Sequence, residues 1–95
     1  MQSLQASDRA QRYKLFQPIE LSCAGQAIRA HLLDLSSTGA LAHAETPPPV
    51  GARVRVSAGF PLGTAKVIWA NGKRFGIAFN LRLDAAQIDR AIAVG

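Results

Sequence analysis

The chain has 95 residues, 48% hydrophobic and 18% charged, with eleven Lys and Arg against six Asp and Glu for a net charge of +5. That length holds one small domain, which buries only roughly 60% of its unfolded surface, and the composition excludes a disordered chain. A lone cysteine, Cys23, excludes an intramolecular disulfide, and the longest uncharged runs, ten residues at 35–44 and at 56–65, are too short and polar to span a bilayer.

Excess positive charge favours polyanionic partners such as nucleotides, nucleic acid or an acidic membrane. The opening MQSLQASDRAQRYK lacks the basic start, apolar centre and small-residue cleavage site of a secretory signal, so a cytoplasmic location is expected. Residues 1–13 are polar, concentrate charge and keep no period, which predicts a flexible basic arm ahead of a domain over 14–95. LFQPIELSC (15–23) then reads as a strand with Phe16, Ile19 and Leu21 as core candidates, and Pro18 restricts it to an edge or a strand start. Gly25 closes that strand and AIRAHLLDL (27–35) forms the next. GALAHA (39–44) is a short third strand, stopped by ETPPPVG, whose prolines cannot join a ladder.

ARVRVSA alternates Val54 and Val56 against Arg53 and Arg55, predicting a half-buried strand with a basic outer face. GFPLG reads as a turn. TAKVIWA and KRFGIAFNL follow, joined by Asn71–Gly72 as a two-residue hairpin, with Val67 and Trp69 facing Phe75, Ile77 and Phe79 in the core. In DAAQIDRAIAVG, Asp84 and Gln87 have the spacing of a capping box, and Ala86, Ile88 and Ile92 supply an apolar stripe, so a helix is expected over 84–93. Six strands and one short C-terminal helix predict a mostly β fold, a six-stranded antiparallel barrel or split barrel.

DLSSTG, residues 34–39, joins the second and third strands. Asp and Ser side chains hydrogen-bond backbone one or two residues on, which leaves N–H groups pointing outward, and Gly39 is expected to supply the positive φ that ends the turn. An arginine-bearing arm precedes this turn, with Pro18 six residues after Arg12, and AKVIWANGKRFGIAFN follows it. In that order the features resemble the PilZ domain family from residue 9 to about 93, with Asp34, Ser36 and Gly39 matching its D/N-x-S-x-x-G turn.

The resemblance implies a non-enzymatic receptor for cyclic di-GMP that needs no cofactor and passes the signal to a downstream protein. Its binding residues would be Arg9, Arg12, Asp34, Ser36 and Gly39. The chemistry suits the ligand, because guanidinium groups pair bidentately with guanine O6 and N7, stack on purines and neutralise phosphate. Asp34 can accept from the guanine N1–H and N2–H, while Ser36 and outward backbone N–H groups can meet the remaining oxygens.

This chain departs from the family's R-x-x-x-R arm. With Arg12 as the second arginine, the reading favoured by its distance to Pro18, the first position is Asp8 and the arm reads R-x-x-R; with Arg9 as the first, Tyr13 takes the second place. The alternative from another class is a degenerate module of the same fold that binds no nucleotide and works through protein contacts. His31, His43 and Cys23 lack the paired spacing of a zinc site, and no G-x-S-x-G elbow supports a hydrolase. Arg53, Arg55, Lys66, Lys73 and Arg74 read as a solvated basic face, and nucleic acid is not the expected partner.

Overall fold

The computed structural model describes residues 11–94. Six strands run β1 Tyr13–Cys23, β2 Gln26–Leu35, β3 Gly39–His43, β4 Arg53–Ser57, β5 Pro61–Asn71 and β6 Arg74–Phe79, followed by helix α1, Ala85–Val94. They pair antiparallel throughout and close into a barrel in the order β1-β2-β3-β6-β5-β4. Closure rests on a short seam, since β4 meets β1 only from Glu20–Ser57 to Ser22–Arg55. Pro18 lies outside that seam, where β1 pairs with β2 alone, so its missing N–H costs the barrel no ladder bond to β4.

Of the expected arm, residues 1–10 lie outside the described residues; Gln11 and Arg12 precede the strand and Tyr13 already begins it. Leu21, Leu32, Leu35, Val54, Val56, Leu62, Val67, Phe75 and Ile77 fill the interior, all below 3% exposed. α1 lies against β1, burying Ala91 and partly burying Ile88. Its capping box forms as expected: the Gln87 N–H donates to Asp84 Oδ1 at 2.8 Å and the Asp84 N–H donates to Gln87 Oε1 at 2.9 Å. The stripe is narrower than expected, because Ala86 and Ile92 stay exposed.

Four further expectations are corrected. Phe16 is not core: it is 67% exposed and stacks on His31 with ring centroids 4.4 Å apart. The position in phase with Ile19 and Leu21 is 17, so Gln17 takes the buried place and Phe16 turns outward. The GFPLG turn is shorter than expected, since β5 begins at Pro61 and a register shift between Val56 and Ser57 tucks Leu62 into the core. The last hairpin turns on Gly72–Lys73 rather than Asn71–Gly72, because Asn71 pairs with Arg74 and only Gly72, at φ 65°, needs a positive φ. Trp69 is not core either; its place belongs to the site.

Candidate functional site

Asp34, the penultimate residue of β2, lies between Lys14 of β1 and Leu41 of β3. The β2–β3 register shifts between Leu32 and Asp34, and this bulge re-aims the carboxylate at the strand end. Its Oδ1 accepts from the Leu41 N–H at 3.2 Å and from Arg12 Nη1 at 3.3 Å. Oδ2 makes no hydrogen bond among the described residues. The Arg12 side chain is 57% exposed, so its ion pair with Asp34 is a surface contact worth ~0–1 kcal/mol.

Ser36 is buried, and its hydroxyl organises the turn from within. Oγ accepts the Gly39 N–H at 3.1 Å and the Thr38 N–H at 3.3 Å, and donates to the Gly39 carbonyl at 3.1 Å. The Ser36 N–H donates to the same carbonyl at 2.9 Å. The turn is then fastened to its neighbours, with the Phe79 N–H on Thr38 O at 2.9 Å and the Leu83 N–H on Ser37 O at 2.8 Å.

Gly39 is required for a reason other than the one expected. It has no positive φ; a Cβ there would stand 2.5 Å from the Ile77 carbonyl oxygen of the neighbouring β6, where Gly39 pairs with Ala78. Glycine lets the turn sit against the barrel wall.

Trp69 is the residue that sequence reasoning misplaced. The β5–β6 register shifts between Val67 and Trp69, so Ile68 and Trp69 both turn outward after buried Val67, and Trp69 is 41% exposed. Its partner across the strands is Gly76, and a Cβ on Gly76 would meet indole Nε1 at 2.1 Å. The indole therefore lies flat along β6 in the space that the glycine leaves free. A strand glycine such as Gly76 in KRFGIAF signals a close approach, but its pairing with Trp69 depends on the register shift and is not legible in the sequence.

These elements enclose a concavity of about 540 Å³. Arg12, Asp34, Thr38 and Gly39 line one side, and Ile68, Trp69 and Gly76 line the other. The Thr38 and Gly39 N–H groups, expected to point outward, are instead taken up by Ser36 Oγ, so the site combines a cation, a carboxylate with a free oxygen, an internally fastened turn and an aromatic face. Arg12, Asp34, Ser36 and Gly39 line the same concavity, while Arg9 lies outside the described residues. The PilZ domain family profile matches residues 7–93, nearly the whole chain. No curated protein matches the chain as a relative.

Proposed function

From the premise that the chain belongs to the PilZ domain family, whose members are generally cyclic di-GMP receptors, we propose that it binds cyclic di-GMP and regulates a partner protein. The observation that carries this reading is the contact of Arg12 with Asp34 at the edge of a concavity that Trp69 also lines. A guanine edge presents N1–H and N2–H to the free Asp34 oxygen, Arg12 pairs with guanine O6 and N7 or with phosphate, and the indole offers a stacking face. Arg9 is proposed to add a second guanidinium from the arm. Ser36 and Gly39 act by shaping the turn beside the ligand.

No bond is made or broken in this function. Ligand capture replaces the Arg12–Asp34 ion pair with contacts to the nucleotide, and the repositioned arm changes the surface offered to the partner. The proposed setting is the cytoplasm, where the messenger is made.

Calorimetric titration of the full chain with cyclic di-GMP tests the reading. Binding is expected, and Arg12→Ala is expected to cost about 1–3 kcal/mol, the worth of a bidentate guanine contact. Wild-type protein that is folded and gives no heat contradicts the proposal. Wild-type binding with unchanged affinity in Arg12→Ala contradicts the placement of Arg12 in the site. The R-x-x-R spacing favours a second reading, a nucleotide-free interaction module, and an absent titration signal selects it.

A further inference from the structure

The outer surface of β4 and β5 carries a cluster of cations that the nucleotide site does not use. Arg53 and Arg55 alternate with buried Val54 and Val56, so both side chains leave the barrel on one face. Lys66 stands directly across from Arg53, and Thr64 across from Arg55. Strand geometry spaces these three charges about 5 Å across and about 7 Å along the sheet. None of the three forms an ion pair among the described residues. The adjoining β1 contributes one acid, Glu20, which stands between Ser57 of β4 and Arg29 of β2 and so lies opposite none of these three cations.

Like charges directly opposite each other on adjacent strands destabilise the sheet. The Arg53–Lys66 pair therefore carries a cost that an anionic partner relieves. Exposed apolar residues adjoin the charges at one end. The Gly51 N–H donates to Val67 O and the Val67 N–H donates to Ala52 O, which brings the 50–52 segment alongside β5. Val50 and Ile68 are both more than half exposed there.

We propose that the Arg53, Arg55 and Lys66 face, with Val50 and Ile68 at its margin, docks on an anionic phospholipid membrane. The sheet wraps a closed barrel, so this outer face is convex and its aliphatic side chains protrude instead of lining a groove. Protruding aliphatic groups need a partner that deforms around them, and acyl chains below an anionic headgroup layer do so. Single-stranded nucleic acid would call for a succession of stacking aromatics, and this face has aliphatic groups instead. The three cations and Val50 lie outside the nucleotide concavity, which this face meets only at Ile68, so the proposal does not rest on nucleotide binding.

Sedimentation of the full chain with vesicles of equal parts phosphatidylcholine and phosphatidylglycerol, against phosphatidylcholine alone, tests it. Binding is expected to the anionic vesicles only. It should weaken as ionic strength rises from about 0.01 M to about 0.15 M, over which the Debye length falls from ~30 to ~8 Å. The double variant Arg53→Glu, Arg55→Glu is expected to lose at least about tenfold in partitioning, and Val50→Asp to lose severalfold. The glutamate at position 53 replaces repulsion with attraction to Lys66, so thermal unfolding should show that the double variant is no less stable than the wild type. Equal binding to neutral vesicles, no binding at low salt, or unchanged binding by either variant would overturn the proposal. Retention by polyglutamate or an oligothymidylate without vesicle binding would overturn it too, and assign the face to an acidic polymer.

Discussion

Removing the Ser36 hydroxyl leaves the Gly39 and Thr38 N–H groups without their acceptor in a part-buried turn. Ser36→Ala is therefore expected to destabilise the domain by about 1–3 kcal/mol, the cost of leaving a buried donor unpaired. Thermal unfolding measures it, and an unchanged midpoint would show that the turn does not depend on Oγ. Gly76→Ala separates platform from scaffold. The added methyl collides with the indole of Trp69, which is exposed on one side and free to swing away. The expected result is a red-shifted tryptophan emission and weaker nucleotide binding, read cleanly because Trp69 is the chain's single tryptophan. Gly39→Ala differs, because its methyl meets backbone oxygen that has nowhere to go, and a loss of about 1–3 kcal/mol in stability is expected.

At the scale of elements, the hairpins and helix are decided by local chemistry. The β1–β2 turn uses Ala24 at φ 50° and Gly25 at φ 81°. Alanine in the left-handed region is strained by roughly 1–2 kcal/mol, and asparagine tolerates that region better. Ala24→Asn is thus expected to raise the unfolding midpoint, and a lowered one would contradict this account of the turn. The capping box and most strand spans were legible because their signals are local: Asp84 with Gln87, the Val54 and Val56 alternation, and the prolines after β3. What was not legible came from bulges. Sequence alternation carried Val67 inward and placed Trp69 with it, but the extra residue at Ile68 reversed the phase. The fit of Gly39 against Ile77 was hidden for a related reason, since it depends on how closely two strands distant in sequence approach.

For the molecule as a whole, barrel closure brings together residues from four parts of the chain. Arg12 arrives ahead of β1, Asp34 at the end of β2, Gly39 at the start of β3 and Trp69 from β5. The family resemblance marked the first three in the sequence, while Trp69 joined them only through the register of β5 on β6. The central claim is that this concavity receives cyclic di-GMP, and the amide spectrum of isotope-labelled protein during titration with that nucleotide tests it most directly. Resonances of Arg12, Asp34, Ser36, Gly39 and the Trp69 indole should move together and saturate, while Gly25, at the far end of β2, stays in place. Site resonances that hold their positions in excess nucleotide, or shifts confined to residues elsewhere on the barrel, would contradict the account.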